Sequence, residues 1–153
     1  MAETVLKAEH ISKSFISGNK RFTAVDDVSF NLKQGECLGI VGESGSGKST
    51  IAKMITRLED VSRGQIFLGD QEITKAKGKA LRSIYQDIQM VFQNPAESFD
   101  PRHTLGDGIG EILRNMGMNR RETNERVELL LEKCGLDKEF AQRYPHQVSG
   151  GQC

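Results

Sequence analysis

The residues best equipped for chemistry lie in one run, Gly42-Glu43-Ser44-Gly45-Ser46-Gly47-Lys48-Ser49-Thr50. It fits the phosphate-loop pattern G-x-x-x-x-G-K-[ST]. Glycines at 42, 45 and 47 let the backbone curl through dihedrals closed to other residues. The curl turns successive N–H groups inward and makes a nest for anions. A helix that starts here adds its positive end. Lys48 can then reach β- and γ-phosphates, and the Ser49 hydroxyl can hold Mg²⁺. A chance glycine-rich turn is the plain alternative, but the flanks argue against it. Cys37-Leu38-Gly39-Ile40-Val41 is an apolar run that suits a buried strand, and Ile51, Met54, Ile55 and Leu58 fall at helical spacing.

Composition narrows the setting. The chain has 153 residues, enough for one domain with a real core. Its 21 basic and 21 acidic residues cancel, so nothing suggests a nucleic-acid-binding surface. Cys37, Cys134 and Cys153 have no zinc or iron–sulfur spacing, and an odd count argues against a disulfide framework. Free thiols fit a reducing cytosol. The first residues lack the pattern of a signal peptide. No segment approaches 18 apolar residues, so any link to a membrane is expected to run through another subunit.

These residues need elements to hold them. Residues 5–15 are expected to form a strand, with a turn at Ser17-Gly18-Asn19 and an antiparallel neighbour over 22–32. Residues 33–36 turn into the strand 37–41, and the phosphate loop and helix follow. Ser62-Arg63-Gly64 is expected as a turn, 65–68 as a strand ended by Gly69-Asp70, and 74–78 as loop. Ile88-Gln89-Met90-Val91-Phe92 is a further expected strand, ended by Gln93-Asn94-Pro95. Beyond Pro101, Ile109, Ile112, Leu113 and Met116 fall at helical spacing, as do Val127, Leu130, Leu131 and Cys134, with Gly135 as a stop. Thr123 is one possible cap for that second helix, within a charged run from which it could start anywhere.

Four stretches in this order resemble the nucleotide-binding subunit of an ABC transporter, and the resemblance covers the whole chain. They are the loop at 42–50; Gln93 in Val91-Phe92-Gln93-Asn94-Pro95, similar to the family's Q-loop; Val148-Ser149-Gly150-Gly151-Gln152, one residue from the signature Leu-Ser-Gly-Gly-Gln; and Phe15, placed like the aromatic that stacks on adenine. Gln89 to Pro95 with Ser98-Phe99-Asp100-Pro101-Arg102 resembles the oligopeptide, dipeptide and nickel importer branch. The resemblance implies an α/β fold: a P-loop NTPase core with an antiparallel β part over 1–97, a helical subdomain over 98–148, and the start of the signature helix over 149–153. It implies ATP and Mg²⁺ as cofactors. Phe15, the residues 42–50 and Gln93 would bind nucleotide, with Lys48 and Gln93 catalytic and Ser49 and Gln93 on the metal. Ser149, Gly150, Gly151 and Gln152 would act in trans on the ATP of a second ABC ATPase subunit, a copy or a paralogue, in a head-to-tail dimer. Transmembrane permease subunits would be the other partners. The implied location is cytoplasmic, on the inner face of the cell membrane.

Each piece keeps an alternative. Phe15 could be a strand-core residue, Gln93 a capping side chain, and Ser149-Gly150-Gly151 a linker. Gln93 could coordinate Mg²⁺ or orient a water. Phe99, Pro101 and Leu105 could form a docking patch for the transmembrane subunit, or Phe99 could pack within the subdomain. The family's catalytic Asp-Glu strand and switch histidine have no match: Asp70 resembles a turn, Glu132 continues a helical pattern, and His10, His103 and His146 suit surface or packing roles. The sequence is thus expected to stop before the second half of the core, to be unstable or to associate alone, and to lack ATPase activity by itself. A nucleotide-binding regulator and a soluble ABC-type ATPase without a transporter are the rival readings.

Overall fold

Alternating apolar and polar residues draw the start of the chain into two long strands, β1 (Thr4–Ser17) and β2 (Lys20–Lys33), joined by the turn Gly18-Asn19. The computed structural model describes residues 3–152, less the side chains at 96 and 97; Met1, Ala2 and the expected free thiol Cys153 lie outside it. Contacts divide the chain into two compact units, Met1–Met90 and Val91–Cys153, each with its own core.

In the first unit, β3 (Arg63–Leu68) and β4 (Gln71–Glu72) complete an antiparallel sheet of order β2-β1-β3-β4. The inward residues of β1 are Leu6, Ala8, Ile11 and Lys13. Strict alternation would turn Ile11 outward. An extra residue in β1, His10 at φ 51°, restores the phase, and β2 answers with Asp27 at φ 49°. His10 Nδ1 and Asp27 Oδ1 lie 2.6 Å apart, and the Ser29 and Ser12 hydroxyls accept the His10 and Asp27 N–H groups. β3 must pass this bulge. A Cβ on Gly64, at φ 87°, would lie 2.3 Å from the His10 carbonyl oxygen and 2.4 Å from that of Glu9. Of Ser62-Arg63-Gly64, expected as a turn, Ser62 is a bend, while Arg63 and Gly64 open a strand instead.

The helix α1 (Lys48–Ile55) lays Ile51 and Met54 on the core, and α2 (Gly78–Asp87) adds Ile84. α2 was not expected: Leu81, Ile84, Tyr85 and Ile88 recur at helical spacing, but polar residues fill every position between them. α1 stops before Leu58, which is exposed. Arg57 takes φ 59°, and the Leu58 and Arg57 N–H groups return to Lys53 and Met54 in a Schellman closure. The Arg57 guanidinium donates to Asp60 at 2.7 Å and holds that carboxyl below its ordinary range. Residues 37–41 and 88–92, both expected as strands, join no ladder. A strand forms only beside a neighbour that takes its N–H and C=O groups, and none of the described residues stands there, so Leu38, Ile40, Val41, Val91 and Phe92 are exposed.

The second unit holds α3 (Leu105–Asn115) and α4 (Arg120–Lys133). Thr104 caps α3, and a reciprocal box of Asn119 and Glu122 caps α4. Thr123 is no cap: it is fully buried, and its hydroxyl has no partner. The α3 stripe runs through Leu105, Ile109 and Leu113, while Ile112 and Met116 face water. On α4, Val127 and Leu131 meet Phe140 from a short 3-10 turn (Lys138–Gln142), and Cys134 is exposed. Gly135, at φ 75°, follows α4 as expected. The Phe99 ring lies so close to Gly108 that a Cβ there would come within 2.7 Å, and Leu105 is buried. Of the three residues considered for a docking patch, only Pro101 is exposed.

Three variants test this by urea unfolding. Gly64→Ala should lose on the order of 3 kcal/mol, through strain at positive φ and collision with two carbonyls. Thr123→Val should gain about 1 kcal/mol by removing an orphaned hydroxyl, whereas Asn119→Ala should lose about 1 kcal/mol of helix capping.

Candidate functional site

The loop before α1 is shaped by where the helix begins. Gly47 is the N-cap at φ 93°, with no side chain to cap and no acidic residue in the first turn. The first helical bond runs from Ile51 N–H to the Gly47 carbonyl at 2.9 Å. The N–H groups of Lys48, Ser49 and Thr50 precede it, at the positive end of the helix. A Cβ on Gly47 would lie 2.4 Å from the Ala24 carbonyl oxygen and 3.2 Å from a Val25 methyl, so β2 sits directly against the helix start. Lys48 Nζ donates to the carbonyls of Gly42 at 2.8 Å and Glu43 at 2.6 Å, and lies 3.5 Å from Ser46 Oγ. The ammonium is thus held inside the curl. Glu43, Ser44, Gly45, Ser46 and Ser49 are exposed around it. Such an arrangement can hold a polyphosphate between an ammonium and a row of N–H groups. The Ser49 hydroxyl is a hard oxygen donor of the kind Mg²⁺ takes.

Phe15 lies in the same unit. It is 39% exposed, so it is not a core residue. Lys13 Nζ stands 5.0 Å from its ring centroid, held there by the Asp60 carbonyl at 2.7 Å and the Glu59 carboxylate at 2.5 Å. The register places Phe22 directly across from Phe15. Neither Phe22 nor Lys13 was singled out from the sequence. The signal was there: a two-residue turn at 18–19 forces residues 15 and 22 opposite each other.

The other candidate residues belong to the second unit. Gln93 is exposed, just before a 3-10 turn (Pro95–Ser98). Ser149 leads into another 3-10 turn (Gly150–Gln152) where a helix start was expected. Ser149 N–H donates to Gln152 Oε1 at 3.0 Å, and Gln152 N–H to the Ser149 carbonyl at 2.9 Å. Ser149, Gly150 and Gly151 are exposed. The preceding turn (Pro145–Gln147) is closed in the same way, with Tyr144 N–H on Gln147 Oε1 at 2.8 Å and the Tyr144 and His146 rings stacked. Among the described residues no group of three or more His, Cys, Asp or Glu side chains could hold a metal ion.

Comparison with known proteins places this geometry. Residues 25–153 match the ABC transporter family. The chain is 40% identical over 157 residues to the di/tripeptide transport ATP-binding protein DppF of Pseudomonas aeruginosa, covering 98% of this chain and 49% of that one. It is 46% identical over 159 residues to the oligopeptide transport ATP-binding protein AppF of Bacillus subtilis, covering 98% and 48%. The chain therefore spans about half the length of these relatives. The dimeric ATP-binding cassette MJ0796, solved in a post-hydrolysis state with ADP and Pi, superposes with a TM-score of 0.83 at 29% identity, over 96% of this chain and 64% of that one. With the phosphate loop, the antiparallel sheet and the helical unit all accounted for, the chain belongs to the ABC transporter family.

Proposed function

We propose that residues 42–50 bind Mg·ATP, and that the protein energises import of a small solute through a membrane ABC transporter by ATP hydrolysis. The observation that carries this reading is the Lys48 ammonium, enclosed by its loop at the start of α1 with no acid in the first helical turn. The relatives' roles, di/tripeptide and oligopeptide transport, favour peptides over nickel as the solute class. Among the described residues no helix is long and apolar enough to cross a membrane. Permease subunits would supply the path, and the protein would work from the cytoplasmic face.

The chemistry is mostly positioning and charge stabilisation. Lys48 and the N–H groups at the start of α1 bind the phosphate tail and draw off charge as water attacks the γ-phosphorus. Ser49 offers an oxygen donor for Mg²⁺, which would neutralise charge on the phosphates. The Gln93 carboxamide, exposed on the second unit, has the donor and acceptor groups to bind a metal or to orient a water. Phe15 offers its ring to the base. The exposed Ser149, Gly150 and Gly151 present a hydroxyl and N–H groups to the ATP of a second ATPase subunit, copy or paralogue. The MJ0796 cassette is itself a dimer, which supports that arrangement.

Calorimetric titration with Mg·ATP tests the first step. Lys48→Ala should weaken binding about ten- to a hundredfold, the loss of one charge-assisted contact; unchanged affinity would remove the loop from the site. Ser149→Arg should leave that affinity alone yet abolish ATP-dependent dimerisation in sedimentation velocity. If Ser149→Arg still dimerises with ATP, the in-trans role is wrong.

A further inference from the structure

Phe22 is 62% exposed on β2, and its cross-strand partner is Phe15. Directly opposed residues of an antiparallel pair share one face. Lys13, two residues before Phe15, is buried on the core side of the sheet, so both rings continue that side. α1 rests against the same strand, with Gly47 on Ala24 and Val25. Phe22 lies two or three residues further toward the hairpin tip, about 7–10 Å at the rise of a strand. One stretch of sheet therefore leads from the phosphate loop to two aromatic rings in water. That gap suits the sugar of a nucleotide whose phosphates sit on Lys48.

The surroundings of the rings say how a base would be held. One side of Phe15 faces the Lys13 ammonium at 5.0 Å, which leaves its other side for a ligand. Phenyl rings carry no donor or acceptor for the edge of a base, so contact is through flat faces. Stacking of this kind tolerates different bases, because every base has a π-face.

Resting on the reading that the Lys48 loop takes a triphosphate, we propose that Phe22 is a second base-binding residue. Together with Phe15 it forms a two-ring seat that accepts purines with little choice between adenine and guanine.

The test compares ATP, GTP and inorganic tripolyphosphate as ligands for the whole protein, by calorimetry. Phe22→Ala should weaken ATP and GTP in parallel, by about fivefold or more, and leave tripolyphosphate unchanged. Phe22→Leu should resemble Phe22→Ala, and Phe22→Tyr should restore wild-type affinity. Equal loss of tripolyphosphate binding, or rescue by Leu, would overturn the proposal, since either points to packing rather than stacking. If Phe22→Ala binds ATP like the wild type while Lys48→Ala fails to, this proposal alone falls. If the wild type takes up neither ATP nor tripolyphosphate, the phosphate-loop reading falls and takes this one with it.

Discussion

The contact on which the first unit turns is the approach of Gly47 to the β2 backbone. α1 has only eight residues, and an isolated helix of that length is marginal in water. Ile51 and Met54 hold it to the sheet, but they fix a face, not an end. The end is fixed by Gly47, which has no Cβ to keep it off the Ala24 carbonyl. Everything chemical about the loop follows from that placement. The N–H groups of Lys48, Ser49 and Thr50 start where β2 stops the helix, and the lysine folds back onto the carbonyls of Gly42 and Glu43. A side chain at 47 would push the helix start from the strand and open the curl.

A second constraint decides what stands beside the loop. Side chains of a strand alternate, so a phase error of one residue would turn Ile11, Lys13 and Phe15 away from α1. The paired bulges at His10 and Asp27 prevent that. Both residues take a positive φ, a conformation uncommon for anything but glycine. The strain is supported by the His10–Asp27 contact and by the two serine hydroxyls that take up the N–H groups. Gly64 is then needed on β3, because any other residue would collide with the bulge. Three positions with no chemistry of their own thereby aim an aromatic ring and a lysine at the helix side of the sheet.

Much of this was legible in the residues. The phosphate loop, the first hairpin and the two helices of the second unit each carry a local signal, in glycine spacing, in a two-residue turn, or in apolar residues at helical intervals. What escaped depended on distant partners. Nothing around Gly64 says that it must pass a bulge; the reason sits on β1. α2 is the exception: Leu81, Ile84, Tyr85 and Ile88 stand at helical spacing in a stretch polar enough to read as loop. Residues 37–41 and 88–92 have the composition of strands, yet composition supplies no neighbour, and without one the backbone groups have nothing to pair with. α3 shows the finer failure: Ile112 and Leu113 are adjacent and equally apolar, and only the position of α4 and Phe140 decides that Leu113 is covered.

The second unit is built on a different principle, and this bears on the signature segment. Its buried cluster centres on Val127, Leu131 and Phe140, a small core for so many short elements. Local side-chain bonds make up the difference. Thr104, Asn119 and Asp137 each take a backbone N–H at the start of a helix or turn, and Gln147 and Gln152 do the same from the third position of theirs. Gln152 Oε1 is therefore committed to the Ser149 N–H within its own chain. A carboxamide used in this way holds the turn in shape, with its nitrogen and one oxygen lone pair left over. The groups turned outward are the Ser149 hydroxyl and the backbone at Gly150 and Gly151, where the absence of side chains lets another surface come close. On this geometry Gln152 holds the corner in shape from within its own chain.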